Sequence, residues 1–276
     1  MKTVCTLCPH RCALEPGQTG FCRARTNRDG IIVCANYGRL TSLALDPIEK
    51  KPLRRFHPGS LILSAGSFGC NLRCPFCQNS EISMKGADLE TLNVSPGQLA
   101  AKALELSRKR PGNLGVAFTY NEPLVGWEFI RDCSRLVRAS GLATVLVTNG
   151  MICEEPLRAV LPLISAMNID LKGFSQSYYD WLCGDLPTVK RTIELSVPAC
   201  HVEVTTLIVP GRNDSEEEME AESVWLASLD PEIPLHISRF FPSYQVQDRP
   251  PTSVETVYRL CKVARRHLKY VYSGNC

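Results

Sequence analysis

Seven of the 14 cysteines in this chain lie in two short groups. The first group has the spacing C-x2-C-x3-C-x9-C and consists of Cys5, Cys8, Cys12 and Cys22. The second has the spacing C-x3-C-x2-C and consists of Cys70, Cys74 and Cys77. The first five residues lack the pattern of an export signal, so we expect a reducing cytoplasm, where grouped cysteines more often hold metal than disulfides.

The second group follows a predicted strand directly, so it lies at the strand's C-terminal end. Three thiolates on one short loop can bind three corners of a [4Fe–4S] cube, because soft sulfur ligands suit iron–sulfur clusters. A structural zinc site needs a fourth ligand, and no residue near the loop supplies one. The pattern therefore predicts a cluster with one iron open to a substrate or cofactor.

Residues 69–79, GCNLRCPFCQN, resemble the signature loop of the radical S-adenosylmethionine (SAM) superfamily, including the aromatic Phe76 before the third cysteine. The resemblance implies a [4Fe–4S] cluster whose open iron chelates the amino and carboxylate groups of SAM. It also implies reductive cleavage of SAM to methionine and a 5′-deoxyadenosyl radical, which abstracts a hydrogen atom from a substrate. Inert thiols or a zinc knuckle are the alternatives.

SAM carries an ammonium, a carboxylate, a ribose and an adenine, so its site needs an acceptor, donors and an apolar slot. The predicted strand ends resemble motifs of the glycyl-radical-enzyme activases. By that resemblance the expected SAM contacts are Phe76, Glu122, Asn149, Asp170, Lys172, Thr205 and His236.

The resemblance is uneven from one position to the next. Glu122 matches the acidic residue that accepts the SAM ammonium, and a solvated loop carboxylate is its alternative. Asp170 and Lys172 could share one strand face as SAM or cation contacts, or form a plain ion pair. The activases often carry arginine where Thr205 stands, and a lone histidine such as His236 is often structural.

The first cysteine group is a second candidate metal site. Four cysteines within a short Gly- and Pro-containing segment can wrap one metal without a core of their own. Either zinc or an auxiliary iron–sulfur cluster can be held by four thiolates, and metal-free thiols are the third reading. This group, residues 46–53 and residues 69–79 in order resemble the AmmeMemoRadiSam-system radical SAM enzymes, which are similar to pyruvate formate-lyase activating enzyme.

From residue 61 onward short apolar runs alternate with helical patterns. Strands are predicted at 61–65, 116–119, 144–147, 167–171, 202–209 and 235–238. Helices are predicted at 95–109, after residue 123, at 154–163, 175–183 and 188–197, from residue 214, and at 252–268. Six β-then-α units predict an α/β fold, a partial (β/α)6 radical SAM barrel over 61–276, with a doubly wound sheet as the alternative. Residues 1–60 are expected to form a small Cys-rich metal-binding module with a hairpin that joins 31–33 to 40–45.

Composition excludes several classes of protein. A hydrophobic content of 44% excludes global disorder, and a net charge of +3 gives no strong preference for an acidic partner. No apolar run is long enough for a membrane helix, and the short basic runs read as solvated faces, so a nucleic-acid partner is not expected.

The expected partners are an electron donor such as ferredoxin or flavodoxin and a protein substrate, for instance a protein glycine. A metal-binding or electron-transfer protein without SAM cleavage, and radical modification of a small molecule or nucleic acid, are the alternatives. Polar residues around an open iron count against a simple electron carrier.

Overall fold

The computed structural model describes all residues from Met1 to Cys276. The strands are β1 Thr3–Val4, β2 Ala13–Leu14, β3 Arg25–Arg28, β4 Ile31–Cys34, β5 Arg39–Leu40, β6 Ser42–Pro47, β7 Leu61–Gly66, β8 Leu92–Asn93, β9 Gly115–Phe118, β10 Ala143–Thr148, β11 Ala166–Asp170, β12 His201–Ile208, β13 Leu235–Arg239 and β14 Val271–Gly274. The helices are α1 Ser80–Ser83, α2 Pro96–Ser107, α3 Trp127–Ala139, α4 Glu154–Val160, α5 Gln176–Trp181, α6 Leu186–Ser196, α7 Glu216–Leu229 and α8 Val254–Ala264. Short 3-10 turns span Ile48–Lys50, Pro123–Gly126 and Leu161–Leu163.

One eight-stranded sheet organises the chain, in the order β14-β13-β12-β11-β10-β9-β7-β6. Strands β7 and β9 to β14 run parallel, and β6 is the antiparallel edge strand. The parallel strands follow one another in sequence order without the reversal of a doubly wound sheet. Because crossovers between parallel strands are right-handed, this order puts the helices on one face, as in a partial barrel. The predicted α/β partial barrel is confirmed.

The strands form where apolar runs can be buried on both faces, as parallel strands require. β9 is buried at every residue, and all six predicted strands are present. Helix α2 begins where the sequence predicts, because the Ser95 side chain accepts from the Gln98 N–H and Pro96 occupies the first turn. Cys133 of α3 and Cys261 of α8 are fully buried and belong to the core.

The predicted hairpin between 31–33 and 40–45 is wrong. β4 pairs antiparallel with β3, and β6 pairs with β7 at the edge of the main sheet. The turn between β3 and β4 is Asp29-Gly30, and both residues have positive φ, 51° and 91°. Two central residues with positive φ match the twist of a two-residue hairpin, and Asp-Gly is a strong signal for it, so β4 is paired before β6 is reached.

The pairing of β6 also bears on the division of the chain at residue 60. Although β6 precedes that residue, it extends the sheet of the barrel by one strand.

No helix combines the length and the apolar content that a bilayer crossing requires.

Candidate active site

A cavity of about 340 Å³ opens at the C-terminal ends of the parallel strands. In a sheet of this kind the residues that follow the strands carry the chemistry. Most of the predicted site residues line this cavity, and they are Cys70, Cys74, Phe76, Cys77, Glu122, Asn149, Asp170, Lys172 and Thr205. His236 does not line it.

The loop after β7 brings three thiols to the cavity wall. The Cys70 sulfur accepts hydrogen bonds from the Leu72 N–H at 3.3 Å and from Asn149 Nδ2 at 3.5 Å. Burial raises the pKa of Cys74 to about 12 and that of Cys70 well above its usual value. These thiols therefore keep their protons until a metal displaces them.

The loop offers three thiols to one cavity. A structural zinc site needs four protein ligands. A cubane distributes its thiolates over separate irons, so three thiols suit a cubane that keeps one iron open.

Glu122 lies deep in the cavity wall with its carboxylate already oriented. One oxygen accepts from the Thr148 hydroxyl at 2.6 Å and the Leu124 N–H at 3.0 Å, and the other accepts from the Asn149 N–H at 2.7 Å. Burial raises the pKa of Glu122 to about 7, although these donors oppose the shift. The solvated-loop reading fails, because the residue is only 4% exposed.

Asn149 braces the cysteine loop from the end of β10. Its Nδ2 donates to Asn71 Oδ1 at 3.0 Å as well as to Cys70, and its Oδ1 accepts from the Met151 N–H at 2.9 Å. Every polar atom of the Asn149 side chain therefore has a partner in the protein. The residue holds β10 and the cysteine loop together at the cavity.

Asp170 and Lys172 form an ion pair inside the cavity wall, with Lys172 Nζ 2.7 Å from Asp170 Oδ2. Burial opposes the charge on Lys172, but the Asp170 carboxylate outweighs it, so the pKa of Lys172 is raised. The two side chains share the cavity, as their i, i+2 spacing predicts, and also form the ion pair considered as the alternative.

The strands β12 and β13 place the two remaining predicted residues at different depths. Thr205 reaches the cavity, and its hydroxyl is paired with Asn168. His236 lies one layer below, where its Nε2 is 2.6 Å from Glu203 and its ring stacks on Tyr272.

His236 therefore has partners inside the protein, Glu203 and Tyr272, and its expected contact with SAM stays a prediction. Ser238, two residues further along the same face of β13, is the residue that lines the cavity. The sequence pattern predicted the face of the strand but not the depth along it.

A group of three interacting side chains that the sequence analysis did not predict also lies at the cavity. The Tyr120 hydroxyl donates to Asp46 at 2.6 Å, Lys51 Nζ donates to the same carboxylate at 2.9 Å, and both Tyr120 and Lys51 line the cavity. Tyr120 has φ of 75°, a left-handed conformation that a bulky side chain rarely adopts outside constrained sites. The available signal in the sequence was an aromatic residue two positions before the predicted site residue Glu122.

The first cysteine group also comes together. Cys5, Cys8, Cys12 and Cys22 line one small pocket of the N-terminal segment. It is separate from the cavity that holds the second group, and it is considered below.

The sequence model of the Radical SAM superfamily matches residues 66–222, more than half of the chain and all of the strand ends from β7 to β12. The chain belongs to the radical SAM superfamily. Its cofactors are accordingly a [4Fe–4S] cluster and SAM, as expected, and it is a SAM-cleaving radical enzyme. The cysteines and polar groups of the cavity fit this pair of cofactors.

Several known proteins are similar to this radical SAM enzyme in sequence or in fold. The uncharacterized protein MJ0808 of Methanocaldococcus jannaschii is 40% identical over 278 residues, which cover 99% of this chain and 81% of that protein. A domain of pyruvate-formate lyase-activating enzyme from Bacteroides vulgatus superposes with a TM-score of 0.51 at 19% identity, over 58% of this chain and 99% of that one.

SuiB of Streptococcus suis, solved with SAM bound, superposes with a TM-score of 0.51 at 13% identity, over 75% of this chain and 48% of that one. At these identities the two solved structures show the fold alone.

Proposed function

We propose that this enzyme abstracts a hydrogen atom from a residue that a protein partner presents at the cavity mouth, as a glycyl-radical activase does. The size of the cavity carries the proposal. At about 340 Å³ it stands at the low end of the roughly 300–1,000 Å³ typical of ligand sites. Since the cluster and SAM both belong in it, little internal volume is left for a separate small-molecule substrate.

When bound, the cluster would supply an electron to SAM, and SAM would supply the 5′-deoxyadenosyl radical. The chain's own residues would hold and orient these two cofactors. Cys70, Cys74 and Cys77 would ligate three irons, and Glu122 would accept hydrogen bonds from the SAM ammonium through a carboxylate fixed by three donors. Buried acceptors of this kind favour a cation strongly, because water does not compete with them.

Two further groups complete the SAM site in this proposal. Lys172, fixed by Asp170, places a cation on the wall for a carboxylate or a ribose hydroxyl. Phe76, packed on Trp181 with ring centroids 5.5 Å apart, supplies a rigid apolar surface for the adenine. Thr205 lies beside them with its hydroxyl held by Asn168.

Two considerations support a peptide-like substrate and an external electron donor. SuiB of Streptococcus suis, which shares the fold with a TM-score of 0.52, has been solved with its precursor peptide SuiA bound. Each reductive cleavage of SAM consumes one electron, and a cluster that has given up its electron must be reduced again from outside the chain. We therefore assign the electron to a low-potential one-electron carrier of the ferredoxin or flavodoxin class.

The experiment supplies the reconstituted, reduced enzyme with SAM and a protein extract from cells grown in deuterated medium. The extract is divided into a protein fraction and a low-molecular-mass filtrate, and mass spectrometry measures deuterium in the 5′-deoxyadenosine formed. We expect label from the protein fraction, lost after proteolysis of that fraction. Label from the filtrate alone would show a small-molecule substrate and would contradict the proposal.

A further inference from the structure

The four N-terminal cysteines converge although they are dispersed in the sequence. Cys5, Cys8 and Cys22 are buried and Cys12 is half-buried, and all four line one small pocket. The strands β1 and β2 create it, because their pairing continues into a hydrogen bond from the Cys5 N–H to the Cys12 carbonyl at 2.9 Å. Four free thiols gathered in one pocket are typical of a metal site.

The backbone points a donor at a sulfur of this pocket. The Phe21 N–H donates to the Cys12 sulfur at 3.4 Å. Hydrogen bonds from the backbone to sulfur stabilise cysteine ligands of iron–sulfur clusters and tune their potential. A neutral thiol in a purely structural core gains little from such donors.

Four thiols complete the ligand set of a cubane, which takes one thiolate at each iron. Four thiolates also complete a tetrahedral zinc site, so metal analysis decides between the two.

We propose that the pocket of Cys5, Cys8, Cys12 and Cys22 holds a second [4Fe–4S] cluster that is ligated by protein at every corner. Its presence does not depend on the proposed protein substrate. With no open iron, this cluster does not bind SAM.

The second cluster would share a wall with the active-site cavity. The Cys22 carbonyl oxygen lies against Gly69, where an added Cβ would meet it at 2.5 Å. On the other side, the Asn71 side chain lies beside the Cys8 sulfur and also accepts from Asn149, which donates to Cys70. Two paramagnetic clusters this close, when both are reduced, would broaden each other's electron paramagnetic resonance signals.

The primary test is metal analysis of the full chain reconstituted without oxygen. The wild-type protein should hold about eight irons and eight sulfides, and little zinc. The triple variant Cys70→Ala/Cys74→Ala/Cys77→Ala should retain about four of each, in a cluster whose Mössbauer spectrum does not change when SAM is added. The matched variant Cys5→Ser/Cys8→Ser/Cys12→Ser/Cys22→Ser should also retain about four, in a cluster that responds to SAM.

Three results would overturn the proposal. One is a wild-type protein with only about four irons, all in a SAM-responsive cluster. Another is zinc at the N-terminal site after reconstitution with iron and sulfide. The third is a triple variant that has a normal circular-dichroism spectrum but contains no cluster. The iron count of the wild-type protein requires no substitution, so it tests for a second cluster even if a variant misfolds. Because no substrate is used, the outcome is independent of the experiment on the protein partner.

Discussion

The carbonyl oxygen of Cys22 lies against the α-carbon of Gly69, the residue that immediately precedes Cys70. A Cβ built on Gly69 would stand 2.5 Å from that oxygen and 3.1 Å from the Ala24 Cβ. Gly69 also has φ of 89°, in the left-handed region. The N-terminal cysteine segment and the active-site loop therefore pack backbone to backbone, and a side chain at this position would separate them.

Gly69→Ala should destabilise the protein and disturb both cysteine sites. The positive φ alone costs roughly 1 kcal/mol, and displacing a backbone carbonyl adds to it, so we expect a total of about 2–4 kcal/mol. Denaturant unfolding measures the loss. Gly17→Ala is the matched control, because Gly17 has φ of 81° but no atom within 4 Å of its Cβ position. Equal losses for the two variants would show that the contact with Cys22 has no energetic weight.

Replacing any one of Cys70, Cys74 and Cys77 with alanine should abolish SAM cleavage. The reason is that the remaining thiolates leave a second iron of the cluster without a protein ligand. Chromatographic detection of 5′-deoxyadenosine and methionine measures the loss after anaerobic reduction. Cys133→Ala, in the core of α3, serves as the control and should retain turnover. Turnover by the triple variant would remove the loop from the mechanism.

Glu122→Gln should weaken SAM binding while leaving the iron content unchanged. Loss of a charge-assisted hydrogen bond costs about 1.5–3 kcal/mol, or roughly a ten- to hundredfold increase in Kd by calorimetric titration. Glu122→Asp keeps the charge and should recover part of the affinity. Unchanged affinity in the Gln variant would exclude this acceptor role.

The same residue should make SAM binding depend on pH. The pKa of Glu122 is raised to about 7, so the carboxyl gains a proton as the pH falls below that value. A protonated carboxyl binds an ammonium poorly, so affinity should fall by up to about tenfold per pH unit between pH 7 and 5.5. The Glu122→Gln variant should show a flat profile over this range. A wild-type profile as flat as that of the Gln variant would contradict the link between Glu122 ionisation and SAM binding.

We expect the ionised carboxylate of Glu203 to stabilise the bottom of the barrel. Although burial opposes its charge, hydrogen bonds from His201, His236 and the N–H groups of residues 54 and 55 lower its pKa to about 2. A lowered folded-state pKa gives stability that is present above the unfolded value of 4.5 and is lost as the pH falls towards 2.

Lowering the pKa of Glu203 from 4.5 to about 2 contributes about 3 kcal/mol of stability at neutral pH, since a difference of one in pKa corresponds to about 1.36 kcal/mol. Glu203→Gln should reduce the slope of unfolding free energy against pH between 4.5 and 2, measured by urea unfolding. Glu49→Gln, at a carboxylate that holds only the exposed Gly59 N–H, is the control and should keep the slope. An unchanged slope in Glu203→Gln would place the acid sensitivity elsewhere.

The sequence alone determined the strands of the barrel and the cysteine loop. Parallel strands are buried on both faces, so each appears as a short apolar run, and β9 and β10 are recognisable without any partner. The loop from Cys70 to Cys77 is equally local, because three ligands on one turn fix their own geometry. Glu122 and Lys172 followed from these, since the ends of parallel strands meet at one edge of the sheet.

Tertiary structure alone decided which segments lie against one another. The pairing of β6 with β7, the depth of His236 below the cavity and the contact of Cys22 with Gly69 all join residues that are distant in the chain. Periodicity reports which face of an element is buried, but the partner on that face is chosen by packing and hydrogen bonding across the whole fold. For that reason the sequence predicted candidate site residues, and only the folded chain showed that the segments of its two cysteine groups pack against each other at Cys22 and Gly69.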